Sequence, residues 1–162
     1  PYSVSKVNGE KLCKMYTDLY GLKTVIFRYF NVYGNRQPLR GQYAPVIGIF
    51  LRQLAAGEPL TIVGDGEQRR DFVNVEDVCR ANIMAAISNP DDEAYGQVYN
   101  VGTGKNYSVN QIAEMFNTET KYIPPRTGEA RISLANVDKI YKTFGWKPYV
   151  NLKDWIENEI NG

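Results

Sequence analysis

Histidine is absent from all 162 residues, and that one absence removes several chemistries together. No imidazole can ligate zinc, serve a Ser-His or Cys-His nucleophile, or switch charge near neutral pH. Cysteine is nearly absent too: Cys13 and Cys79 are the only two. They sit alone in helix-like stretches, which argues against a disulfide framework. Neither sign of charge is in excess, since 19 basic and 18 acidic residues leave a net charge of +1. The basic residues are also scattered, so nothing in the composition favours nucleic acid or an acidic membrane as a partner. No apolar run approaches the roughly 20 residues of a membrane-spanning helix, and no signal peptide is expected at the start. A cytoplasmic, soluble α/β chain, large enough to bury a core, is the expectation.

Complete phosphate-binding loops are lacking as well. Gly64-Asp-Gly66 would need glycine at 69, where Arg69 stands, and Gly102-Thr-Gly104 would need it at 107, where Tyr107 stands. Neither completes the dinucleotide fingerprint, and no Gly-Lys-Ser/Thr occurs. Both glycine pairs therefore read as turns, and no metal site is expected.

What is present alternates. Val4, Val7, Leu12, Met15 and Leu19 recur near helical spacing, and Gly21 stops that helix. Residues 24–30 are β-branched and aromatic, and read as a strand buried on both faces. Residues 31–41 read as a polar loop, 45–56 as an apolar-periodic helix closed by Gly57, and 60–63 as a short strand. An extended piece at 71–74 precedes a helix reaching Ser88, with Asn74 placed as N-cap and Asp77 three residues on. A strand at 97–101 is followed by Ser108 and Gln111, a capping-box pattern opening a short helix. Residues 121–123 are extended, Pro124-Pro125 is irregular, and helices near 136–144 and 152–160 come last. The alternation argues for α/β architecture. Only residues 24–29 resemble a central parallel strand, so a complete doubly wound sheet is not expected.

Tyr2 and Lys6 stand four residues apart, on one helix face. A phenol is mostly protonated at neutral pH, and a nearby ammonium favours the phenolate. Tyr-x-x-x-Lys can thus supply a general base for alcohol oxidation.

Five landmarks in series accompany this pair: Pro1-Tyr-Ser-Val-Ser-Lys6, Arg28-Tyr-Phe-Asn-Val-Tyr-Gly34, the run from Gly64-Asp-Gly-Glu-Gln-Arg-Arg-Asp71 to Val78, Tyr99-Asn-Val-Gly102, and Arg126-Thr-Gly-Glu129. Together they resemble the carboxyl-terminal part of the extended short-chain dehydrogenase/reductases, specifically the NAD-dependent nucleotide-sugar epimerases and dehydratases. The resemblance implies the last helix and strand of a Rossmann-type domain at 1–35, followed at 36–162 by a small mixed α/β substrate domain. Some of its elements would return to the Rossmann part. It implies a UDP-hexose 4-epimerase acting with NAD on a UDP-sugar. An NDP-glucose 4,6-dehydratase, or a non-catalytic nucleotide-sugar-binding or structural fragment, is the alternative.

Residue by residue, the resemblance makes Tyr2 the catalytic base and Lys6 its partner at the cofactor ribose, with Tyr29 and Phe30 walling the cofactor site. Asn31 would bond the sugar or diphosphate, while Arg70 and Arg126 would clamp the diphosphate in the bidentate manner that suits guanidinium. Glu129 would meet the nucleotide ribose, Val46 and Thr61 would flank the base, and Asn100 would shape a loop near the phosphates. Arg28 is either a ligand or a structural ion pair, Arg69 is expected to be exposed, and Asp71 to be a structural partner. Tyr33, Trp146 and Trp155 read as packing aromatics. The family's Gly-rich cofactor loop and its Ser/Thr upstream of the tyrosine would lie before residue 1. Homodimerisation is a further expectation.

Overall fold

A computed structural model describes residues 2–41, 44–126, 128 and 130–162. In chain order the elements are α1 (Tyr2–Tyr20), β1 (Val25–Tyr29), β2 (Asn31–Tyr33), α2 (Val46–Ala55), β3 (Leu60–Val63), β4 (Arg69–Arg70), β5 (Phe72–Asn74) and α3 (Val75–Ile87). After one 3-10 turn at Asp92–Ala94 come β6 (Gln97–Val101), β7 (Tyr107–Ser108), α4 (Val109–Phe116), β8 (Thr120–Ile123), α5 (Asp138–Phe144) and α6 (Leu152–Asn161).

The strands form short pairs. β1 runs parallel to β6, β2 to β5 and β3 to β8, while β4 and β7 are antiparallel. Two expectations are corrected here. The stretch expected to be a polar loop begins as a strand, because Asn31–Tyr33 pairs with Phe72–Asn74 and buries Tyr33 to 1% exposure. The strand expected to be buried on both faces has β6 as its one neighbour among the described residues. Val25, Ile26 and Phe27 are only half-buried, and Arg28 and Tyr29 are exposed.

Local signals account for most element ends. Gly21, at φ 66°, closes α1 and sends its N–H to the Thr17 carbonyl. Asn74 caps α3 by accepting from the Glu76 N–H. Ser108 and Gln111 complete a reciprocal capping box on α4. Asp77 stands at the expected N3 position of α3. Its buried carboxylate accepts from the backbone N–H groups of Tyr149 and Val150 and from Arg80, and so ties the segment before α6 onto α3.

Two hydrophobic clusters organise the chain. One joins α2, β3, α4 and α6 around Phe50, Leu60, Ile62, Ile112, Phe116 and Ile156. The other joins α3, β6 and α5 around Val78, Tyr99, Val101, Ile140 and Trp146, with Val25 and Phe27 of β1 packed against it. Arg69 to Asn74 and the segment from 100 to 108 run between the two.

Candidate functional site

A cavity of about 200 Å³ opens between α2, β3, β5 and the segment after β8. Asn31, Val46, Thr61, Arg70 and Arg126 all line it. These positions are up to 95 residues apart in sequence, and parallel pairing brings them together. Asn31 projects from β2, and its side-chain N–H donates to the Asp71 carbonyl at 3.0 Å. That contact leaves the amide oxygen as the end available to accept from a hydroxyl. Arg70 donates to the Arg69 carbonyl at 2.9 Å. Among the described residues, no hydrogen bond or ion pair holds the Arg126 guanidinium. Apolar side chains, including Val46, Ile49, Val63 and Ile123, make up much of the remaining wall.

Asp71 builds this geometry from behind. It is fully buried, and its carboxylate accepts from the N–H groups of Thr103, Gly104 and Ala135 and from the Thr103 hydroxyl. The expected structural role is what the contacts show. The loop at 102–104 is therefore a turn that wraps an internal carboxylate. The other glycine turn is equally filled: a Cβ on Gly66 would lie 2.0 Å from Asn110 Oδ1.

Other expected site residues lie elsewhere. Asn100 donates to the Asn136 carbonyl and lines a separate, open cleft with Lys139 and Lys142. Glu129 falls outside the described residues. Tyr2 is 71% exposed on α1, and the Lys6 ammonium stands 5.2 Å from its ring centre. Tyr29 donates its hydroxyl to Asn82 Oδ1 at 2.9 Å, and Phe30 is half-buried at the end of β1. Arg28 resolves as a structural pair, bidentate to Glu10 with both contacts at 2.6 Å. That ion pair raises the arginine's pKa and lowers the glutamate's through their hydrogen bonds. Arg69 is corrected from exposed to half-buried, because Asn106 and Gln111 accept its guanidinium N–H groups.

Two polar residues at or behind the cavity, Gln68 and Gln53, were not anticipated as site residues. Gln68 lines it directly. Gln53, 4% exposed, sits behind Thr61 and bonds it twice. Its sequence signal is a polar residue in register with Val46 and Ile49 on an otherwise apolar helix face.

The NAD dependent epimerase/dehydratase family matches residues 1–102. The chain belongs to that family. A UDP-glucose 4-epimerase of Mycolicibacterium smegmatis is 36% identical, aligned over 99% of this chain and 51% of that protein. The fold matches the structure of Thermotoga maritima UDP-glucose 4-epimerase with UDP-glucose at a TM-score of 0.90 and 36% identity, covering 99% of this chain and 52% of that one. Bacillus cereus UDP-glucuronic acid 4-epimerase, in complex with UDP-glucuronic acid and NAD, matches at 0.86 and 30% identity, covering 99% and 51%. This epimerase/dehydratase chain thus spans about half the length of the relatives it matches. The match to solved epimerases also bears out the α/β class.

Proposed function

We propose that this chain is the nucleotide-sugar-binding part of a UDP-hexose 4-epimerase. The observation that carries the proposal is the cavity itself, which unites Asn31, Val46, Thr61, Arg70 and Arg126. Two cationic side chains suit a diphosphate, the Asn31 amide oxygen suits a sugar hydroxyl, and the apolar wall suits a ring. At about 200 Å³, the cavity is below the roughly 300–1,000 Å³ of whole-ligand pockets, so it fits one end of a nucleotide sugar. Glu129 belongs to the same proposal as the ribose partner. Asn100, on its separate cleft, would act only through the backbone of β6.

The family's cofactor supplies transient oxidation at the sugar's C4 when bound. Within this chain, the Tyr2 phenol would take and return the C4 hydroxyl proton, and Lys6 would orient the tyrosine electrostatically. Tyr29 and Phe30 would border the cofactor. Residues 1–35 would then be the Rossmann remnant and 36–162 the substrate domain, joined again through α3, β6 and α5. The two unpaired thiols, Cys13 and Cys79, accord with a reducing, cytoplasmic setting. The exposed apolar face of α1 supports pairing of two copies. No described helix is long and apolar enough to cross a membrane.

A second reading is favoured by the filled glycine turns: the 162-residue chain binds nucleotide without turnover. Calorimetry with UDP tests the first reading. Replacing Arg70 or Arg126 by alanine removes a charge-assisted contact, about 1.5–3 kcal/mol, and should weaken binding roughly 10- to 150-fold. Affinities within twofold of wild type would remove both from the site. Interconversion of UDP-glucose and UDP-galactose by the purified chain would overturn the second reading.

A further inference from the structure

A larger cavity, of about 590 Å³, shares Phe72 with the first but none of its cationic or amide side chains. Its size falls within the roughly 300–1,000 Å³ of small-molecule sites. It forms where the segment before α6 meets α5 and the loop from Thr103 to Tyr107. Asp77 and its neighbours hold that segment in place. Trp146, 1% exposed, donates its indole N–H to the Asp77 carbonyl at 3.0 Å. The Tyr149 N–H donates to the Asp77 carboxylate at 3.1 Å, and its hydroxyl donates to Glu76 at 3.0 Å. The Arg80 guanidinium stands 4.4 Å from the Tyr149 ring centre. Although so firmly tied, Tyr149 is 60% exposed, and Tyr141 across α5 is 48% exposed.

The unengaged polar groups of this cavity are mostly donors. The Lys147 ammonium stands 4.3 Å from the Tyr141 ring centre, and no carboxylate pairs with it among the described residues. Lys105 is fixed through its backbone, whose N–H donates to the Thr103 hydroxyl at 3.3 Å. Its ammonium has no partner among the described residues, and neither have the hydroxyls of Tyr107 and Tyr141. Asp138 is the one carboxylate among the lining residues, so the lysines outnumber it. An ammonium is a compact point charge that suits phosphate. Two of them suit a phosphate dianion better than a singly charged carboxylate. Aromatic faces that the fold already holds can stack on a planar base with little further ordering.

We propose that this cavity is a second ligand site, one that takes a nucleoside monophosphate. The phosphate meets Lys105 and Lys147, and the base stacks on the exposed tyrosine rings. Lys147 has two tasks there: it holds the Tyr141 ring by a cation–π contact and brings positive charge to the phosphate. The Tyr107 and Tyr141 hydroxyls remain to bond the ribose or the base edge. Neither Tyr2 nor Lys6 lines the cavity, so its ligand is an effector and not the reacting sugar. The proposal does not rest on the nucleotide-sugar reading, because Arg70 and Arg126 belong to the other cavity.

The test is calorimetric titration of the 162-residue chain with AMP, adenosine and inorganic phosphate. AMP is expected to bind at least about tenfold more tightly than either of its fragments. Lys105→Gln and Lys147→Gln should each weaken AMP binding about three- to fivefold. Tyr141→Leu should weaken it about tenfold, whereas Tyr141→Phe keeps the ring and should stay within about threefold of wild type. Arg126→Ala should leave AMP affinity unchanged. Equal affinity of wild type for AMP and adenosine, or no binding of AMP, overturns the proposal, and that comparison needs no variant to fold. So does AMP binding that Arg126→Ala weakens and the two lysine variants do not, which would put the ligand in the nucleotide-sugar cavity. UDP binding at that cavity is read separately, so either site can fail without the other.

Discussion

Asp71 holds both polar edges of the cavity in place. Its carbonyl accepts from Asn31 N and Nδ2, its carboxylate gathers residues 103, 104 and 135, and its chain neighbours Arg70 and Phe72 line the cavity. Asp71→Asn would turn an NH2 group toward backbone donors and leave them unpaired. A loss of about 3–5 kcal/mol is expected in urea unfolding. Gly102→Ala strikes the same contact, because the new Cβ would lie 2.5 Å from Ala135 Cβ. It should cost about 1–3 kcal/mol, and the double variant should lose less than the sum.

Asp65 makes the residue-scale case for pH. The Arg131 guanidinium grips it through two bonds of 2.8 Å. That contact, then the Glu67 N–H, holds its carboxyl down to about 2. The unfolded value is near 3.9. The stabilisation is therefore present above that value and is lost as pH falls through about 2. Both side chains are exposed, so the effect on stability is small and screened by salt. An NMR titration of Asp65 should have its midpoint near 2, moving up toward the ordinary value in Arg131→Ala.

At the scale of the element, α1 and α4 are opposites. α4 has a complete capping box and buries Val109, Ile112, Ala113 and Phe116. Ser108→Ala should cost about 1 kcal/mol, read as a lower urea midpoint with an unchanged slope. α1 is 19 residues long with no buried residue. It is tied down at its far end by the Thr17 and Thr24 hydroxyls, 2.7 Å apart, and midway by Glu10 to Arg28. An isolated helix of that length is marginal in water. Hydrogen exchange should therefore show α1 amides opening well below the global stability, and α4 amides close to it.

For the whole molecule, the same exposure predicts association. Val4, Leu12, Leu19 and Tyr20 are each more than half exposed, and among the described residues β1 has β6 as its one neighbour. An apolar helix beside an open strand edge invites a second copy. Light scattering at micromolar concentration should give a mass above the 18.4 kDa of one chain. Leu12→Lys with Leu19→Lys should lower it toward 18.4 kDa. A stable wild-type monomer would refute the idea.

Whatever depends on contacts within a few residues was legible in the chain. The Tyr2 and Lys6 spacing, the Gly21 stop, the Asn74 and Ser108 caps, and the strands at 60–63 and 97–101 all arise from local hydrogen bonding and periodicity. The motif arginines were legible as well, because their residue types fit an anion before any geometry is known. Tertiary structure decided what depends on distant partners. Asn31–Tyr33 is a strand because Phe72–Asn74 lies beside it. Arg69 is half-buried because Asn106 and Gln111 reach it. The loop at 102–104 wraps a carboxylate because Asp71 is driven into the core with it. Asn100 parts from the cavity because strand alternation turns it toward Asn136. The direction of the Thr61 hydroxyl depends on an amide from another element, since a hydroxyl donates or accepts as its neighbours dictate.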